Sequence, residues 1–168
     1  GELTLCANLP YYVTTPILFH ILENLPKITT FTIMVQKEVA DRFVAKPSTK
    51  DYNALSIIVQ TLYEVKNVMN VPKGVFLPRP NVDSAVVRFV RRSILPVEDP
   101  DRFFKLVKTS FTQRRKTLAN NLKELGNQEK IQSSILKAGL QESVRAEALT
   151  LAEFVKLYEV WYENESVR

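Results

Sequence analysis

Two strand-like runs, EVKNVMNV at 64–71 and SAVVRFVRR at 84–92, are separated only by PKGVFLPRPNVD at 72–83. The three prolines and one glycine of that connection break any regular ladder, because proline lacks an amide donor and fixes its own φ. Two parallel strands need a crossover of about a dozen residues or more, usually helical. This segment cannot supply one, so the two runs are expected to pair as antiparallel neighbours.

Upstream, the pattern is of another kind. Residues 3–7 read as a short buried strand. TTP at 14–16 starts a helix, with Thr15 able to cap and Pro16 at the first helical position. Ile17, Leu18, Ile21, Leu22 and Leu25 give that helix an apolar face. TFTIMV at 30–35 is β-branched and aromatic and reads as a second buried strand. A helix from Lys37 to Ala45 follows, then a polar loop at 46–51 and a helix at 53–63. Strand–helix–strand–helix order predicts parallel strands joined by crossover helices. The fold expected is α/β, with parallel strands and an antiparallel pair over residues 1–93 and a small all-α domain over 94–168. SILPVEDPD at 93–101 reads as the link between them and ends in a cap, Asp99 before Pro100. Helical patterns follow, with Gly126 as a stop and further helices near 128–138 and 150–163.

The 168 residues contain one cysteine, Cys6, and one histidine, His20, which excludes a disulfide framework and a zinc site. No metal is expected. No apolar run approaches the roughly 20 residues needed to cross a bilayer, and no signal peptide opens the chain, so a reducing, cytoplasmic setting with no membrane partner is the expectation. Cys6 reads as packed in the sheet, and His20 as a surface or half-buried residue. The net charge of +5 is unevenly distributed. Arg102, Lys105, Lys108, Arg114, Arg115, Lys116 and Lys123 lie in one stretch without an acid among them, whereas the tail is acid-rich. Either a nucleic-acid footprint or a solvated helix face fits that stretch.

Three segments carry chemistry. NLPYY at 8–12 lies at the carboxyl end of a strand, where α/β sheets bind ligands. The Asn8 side-chain carbonyl can accept a hydrogen bond from an exocyclic amine, as can the backbone carbonyls around Leu9 and Pro10. Tyr11 offers a π-face. Together they suit a flipped-out base, although a strand-ending turn without function fits the same residues. Phe76, in the proline-stiffened loop, either closes the other face of that base or plugs the core. Arg79, between two prolines, suits a phosphate. FTQRRKTLANNL at 111–122 sets Gln113, Arg114, Arg115 and Lys116 together at an expected helix start, with charge and donors for a phosphate backbone. Arg88, Arg91 and Arg92 are the alternative basic surface.

NLPYYVTTPILF, MVQKEVADRF, VFLPRPNVDSAVVRF and SFTQRRKTLANNL, in this order, resemble the ribosomal RNA adenine N6-dimethyltransferases of the KsgA family. The resemblance implies S-adenosylmethionine as methyl donor. It also implies two adjacent adenines near the 3′ end of small-subunit ribosomal RNA as substrate, and a role in ribosome biogenesis. It places the target adenine at Asn8, Leu9, Pro10 and Tyr11, with Asn8 also next to the donor, and Phe76 as the opposing stack. RNA contacts would fall on Arg79, Lys105, Lys108, Gln113, Arg114, Arg115 and Lys116. An Erm-type enzyme acting on large-subunit RNA, or a non-catalytic RNA-binding assembly module, fits parts of the same pattern. The family's Gly-rich donor-binding turn has no counterpart among Gly1, Gly74, Gly126 and Gly139. The chain is therefore expected to be a C-terminal portion that binds the donor weakly or not at all and is inactive alone. Its first strand is expected to have an open edge at 3–7, prone to self-association.

Overall fold

The computed structural model describes residues 3–10, 20 and 27–163. Tyr11 and the helix expected from Pro16 lie outside the described residues. The chain forms two compact units, Gly1–Ala45 with Val59–Ile94 and Lys46–Ile58 with Leu95–Arg168. The sequence placed 46–58 with the first of these. It groups with the second because that unit's own atoms hold it. Ser48 N–H donates to the Glu147 carbonyl at 2.8 Å, the Tyr52 hydroxyl donates to the Leu149 carbonyl, and the Arg114 guanidinium donates to the Lys50 carbonyl at 2.9 Å.

The first unit is built on a four-stranded sheet of order β1-β2-β4-β3, with β1 Leu3–Asn8, β2 Ile28–Gln36, β3 Tyr63–Val71 and β4 Ser84–Arg91. β1 and β2 are parallel, with Leu5 opposite Phe31 and Asn8 opposite Met34. The antiparallel β3–β4 pair expected from the proline-rich connection is present, with Val65 opposite Phe89. β4 also inserts between β2 and β3 and runs antiparallel to both, an order that the pattern of runs did not specify. Period-2 alternation sends Phe31, Ile33 and Val35 of β2, and Ala85, Val87 and Phe89 of β4, into the core. Register pairs Phe31 with Phe89, so their rings stack at 4.3 Å, and Tyr63 meets Phe31 edge-on at 5.2 Å. Each such buried ring contributes about 1.5–3 kcal/mol.

β1 is not the buried strand expected. Thr4, Cys6 and Asn8, on one face, are exposed, and Leu5 and Ala7 are half-buried. The strand is bordered by β2 alone among the described residues, and an edge strand loses the cover that a second neighbour brings. After β2 the chain turns directly into α1, Lys37–Phe43, on whose surface Lys37 pairs with Asp41 at 2.8 Å. α2, Ala54–Leu62, starts at Asn53, whose side chain accepts from Ser56 N–H at 3.3 Å while Ser56 Oγ accepts from Asn53 N–H at 3.2 Å.

The second unit is helical: α3 Pro100–Ser110, α4 Leu118–Asn121, α5 Gln128–Lys137 and α6 Leu151–Tyr162. Asp99 caps α3 as expected, accepting from Arg102 N–H at 3.1 Å, with Pro100 at the first position. Thr150 and Glu153 form a reciprocal capping box on α6. Phe103, Leu106, Leu118, Ile135, Phe154 and Trp161 are buried and form much of this unit's core. The chain does break near Gly126, but no left-handed turn is found there. A Cβ at Gly126 would lie 3.1 Å from the Trp161 ring, so the glycine permits a close approach. The left-handed glycine is Gly139, φ 75°, just beyond α5. Its N–H donates to Leu136, and the next N–H, that of Leu140, donates to Ile135, closing a Schellman motif. Among the described residues no helix is long and apolar enough to cross a membrane.

Candidate nucleic-acid site

At the carboxyl end of β1, Asn8 stands beside Met34 of β2, and the chain leaves the sheet through Leu9 and Pro10. The 72–83 connection reaches the same end of the sheet. It is pinned by its own polar groups. The Lys73 N–H donates to the Asp83 carboxylate at 2.9 Å, the Lys73 ammonium donates to the Asn81 carbonyl at 3.3 Å, and the Lys37 N–H donates to the Asp83 carbonyl at 2.9 Å. Pro72 leads into a short 3₁₀ turn, Lys73–Val75, after which Phe76 is extended, with φ −100° and ψ 147°. The Leu77–Pro78 peptide bond is cis.

These two segments bound one cleft of about 310 Å³, lined by Asn8, Leu9, Pro10, Met34, Phe76, Pro78 and Pro80. Three residues read from the sequence at 8–10 and the aromatic read at 76 are therefore brought together across some 66 positions of chain. Asn8 contributes the one side-chain amide among the lining residues. The rest is apolar, with a single aromatic face. That arrangement suits a planar heteroaromatic ring bearing an exocyclic amine, since ring faces stack on aromatic side chains and amines donate to carbonyls. Of the two readings left open for Phe76, the cleft-lining one matches its half-buried position. Tyr11, the other expected stack, lies outside the described residues. A cleft of about 350 Å³ in the second unit, at Asn127, Lys130, Ser134, Lys137 and Trp161, offers no such slot, because the Lys130 ammonium lies over the Trp161 ring at 4.8 Å.

The basic candidates behave differently from one another. Arg79 is exposed in the loop, and Lys105 and Lys108 are exposed on α3. Gln113, Arg114, Arg115 and Lys116 do not start a helix. They form a turn, because Thr117 is the cap of α4 and accepts from Asn120 N–H. Arg114 is occupied within its own unit, donating to Glu147 Oε2 at 3.0 Å and to the Lys50 carbonyl. Arg115 and Lys116 remain exposed. On the alternative surface, Arg92 is held by the Gln60 carbonyl at 3.0 Å and by Glu64 at 3.6 Å, and Arg91 by the Tyr63 hydroxyl at 3.3 Å. Only Arg88 of that trio is exposed.

Asn121 was not anticipated. It is buried, donates to the Ser110 and Gln113 carbonyls, and accepts from Gln113 N–H, so it holds the basic turn in place. Nothing in a run of two asparagines separates such a tether from a solvated pair. Glu147 was likewise unreadable, being 33 positions from its partner Arg114. Among the described residues no cluster of three or more His, Cys, Asp or Glu side chains could hold a metal ion.

Residues 1–163 match the protein family described as Ribosomal RNA adenine dimethylase. Ribosomal RNA small subunit methyltransferase A of Oceanobacillus iheyensis is 46% identical over 98% of this chain and 58% of its own length. The protein of the same description from Streptococcus pneumoniae strain P1031 is 51% identical over 90% of this chain and 54% of its own length. The chain thus spans little more than half the length of these relatives. Two solved structures are similar: the 23S rRNA methyltransferase ErmE, with TM-score 0.72 and 25% identity over 95% of this chain and 65% of that one, and a dimethyladenosine transferase from Plasmodium falciparum, with TM-score 0.78 and 22% identity over 99% and 69%. The second likeness is one of fold alone.

Proposed function

Because this chain belongs to the ribosomal RNA adenine dimethylase family, we propose that it is the base-receiving and RNA-docking part of an rRNA adenine N6-dimethyltransferase. The observation that carries this reading is the single cleft shared by Asn8, Leu9, Pro10 and Phe76. The relatives' description as small-subunit enzymes favours two adjacent adenines of small-subunit ribosomal RNA, modified during ribosome maturation, over an Erm-type substrate.

The chemistry assigned to these residues is positional. An adenine amine is a weak nucleophile because its lone pair is delocalised into the ring. The Asn8 side-chain carbonyl and the backbone carbonyls at Leu9 and Pro10 accept hydrogen bonds from that amine. They favour a pyramidal nitrogen whose lone pair is free to attack. Phe76 stacks on the ring and fixes its plane, with Tyr11 proposed on the other face. Holding the reacting atom in one orientation is worth several orders of magnitude in rate without any covalent enzyme intermediate. Arg79, Lys105, Lys108, Arg115 and Lys116 supply charge for the phosphate backbone. Gln113 adds a neutral donor, and Arg114 acts chiefly by bracing its turn.

S-adenosylmethionine is the methyl source this chemistry requires. The residues present fit the base and not the donor: no two of the four glycines are close enough in sequence to make a phosphate- or nucleoside-cradling turn. We therefore assign RNA docking to this 168-residue chain, and no methyl transfer by itself. The edge of β1 that has no neighbour among the described residues is the natural place for a further strand, whether from a second copy or from donor-binding elements. Calorimetric titration of the chain, first with S-adenosylmethionine and then with a small-subunit rRNA hairpin, tests the assignment. Heat with the hairpin alone is expected. Micromolar binding of S-adenosylmethionine would contradict the assignment for the donor, and silence with the hairpin would contradict the docking role.

A further inference from the structure

The loop that closes the cleft has a second side. Phe76, Pro78 and Pro80 line the cleft, whereas the exposed Val75, Leu77 and Arg79 are not among its lining residues; Pro78 is exposed as well. Leu77 is 100% exposed and Val75 67% exposed. Lone apolar residues on a surface are ordinary. These two are not free to tuck away, because the loop is tied at Lys73, Asn81 and Asp83 and stiffened by three prolines. The exposed side chains of this loop thus include two apolar ones and a guanidinium, each one peptide away from a residue that lines the cleft.

Resting on the base-receiving reading above, we propose that Leu77, flanked by Val75, is an apolar wedge that packs against the nucleotide next to the target adenine. A strand that delivers one base into the cleft must carry its neighbour across this rim, because adjacent residues in the loop are only about 3.8 Å apart at Cα. Turning a base out of its stack leaves the neighbouring base with one uncovered face, and apolar side chains are the usual cover for such a face. Leu77 supplies that cover, and Arg79, two positions on in the same loop, meets the phosphate that follows. The occupant is RNA rather than a protein partner because the exposed residues of this loop include a cation, Arg79, and share their backbone with the cleft-lining residues. Phe76 and Leu77 then divide the work: one holds the extruded base, and the other keeps its neighbour from closing the gap.

The test uses the 168-residue chain and a hairpin with two adjacent unpaired adenines, carrying the fluorescent purine 2-aminopurine either at the target position or at the flanking nucleotide. Leu77→Ala is expected to weaken binding about fivefold, the lower end of the range for loss of one base-packing side chain. It should remove the fluorescence change at the flanking position and keep the change at the target. Leu77→Met should retain both the affinity and the flanking signal. Phe76→Ala should lose the target signal and spare the flanking one. Since Leu77 touches no core, melting temperatures should not move. Unchanged affinity and an unchanged flanking signal in Leu77→Ala, with Phe76→Ala still losing the target signal, would overturn the wedge and leave the base cleft standing. A shift in oligomeric state with RNA binding untouched would assign Leu77 to a protein contact and equally overturn it. Loss of neither signal in either variant would overturn both readings.

Discussion

Asn121 is 5% exposed, and its carboxamide spends both donors and its acceptor on Ser110 and Gln113. Asn121→Ala leaves those backbone groups without partners inside the protein. The expected loss is about 2–3 kcal/mol, read as a lower urea midpoint with an unchanged m-value. A loss below a few tenths would mean that water replaces the amide freely. Tyr52 raises a different matter, that of charge. Burial, and secondarily the carboxylate of Glu153, push its phenol above the ordinary value near 10. The folded chain therefore keeps Tyr52 neutral where the unfolded chain would ionise it. Its contribution is full below pH about 10 and declines as pH rises beyond that. Tyr52→Phe also removes the hydrogen bond to Leu149, costing about 1 kcal/mol at neutral pH. Thermal scans should show the gap between wild type and Tyr52→Phe narrowing above pH about 10. A constant gap would rule out this linkage.

Elements were legible where their signals are local. The proline-broken connection correctly implied the β3–β4 pairing, and Asp99-Pro100 marked the start of α3. Asp99→Ala should lower stability by about 1 kcal/mol, and circular dichroism during thermal melting would register it. Retained stability would mean that water caps the helix equally well. Signals that depend on distant neighbours were not legible. Insertion of β4 between β2 and β3 is decided by which apolar faces meet, such as Phe31 on Phe89, and alternation within one strand does not encode its neighbour. Cys6 read as packed because its run is apolar, yet burial depends on what flanks the strand. The candidate cleft lay between these cases. Asn8 to Pro10 and Phe76 were each readable as chemistry, whereas Met34 and Pro80 became lining residues only through folding.

For the whole molecule, the basic stretch is not one uniform surface. Reversing Arg114 together with Arg115 and Lys116 would set a carboxylate against Glu147 and so damage the fold as well as the charge. The cleaner variant carries Arg115→Glu and Lys116→Glu. Its log affinity for RNA should depend less steeply on log salt, by about 0.7–0.9 for each phosphate the protein no longer neutralises, with no change in melting temperature. An unaltered salt slope would move the docking surface elsewhere, with Arg88 the first candidate. The central claim concerns the cleft at Asn8 and Phe76, and that it receives an adenine through its amine. Two methyl groups on that nitrogen remove both of its N–H donors. The most direct measurement is the affinity of this chain for two hairpins that differ only in N6,N6-dimethylation of the adjacent adenines. Loss of those hydrogen bonds predicts about tenfold weaker binding of the dimethylated hairpin at equal salt. Equal affinity for the two hairpins would contradict the claim.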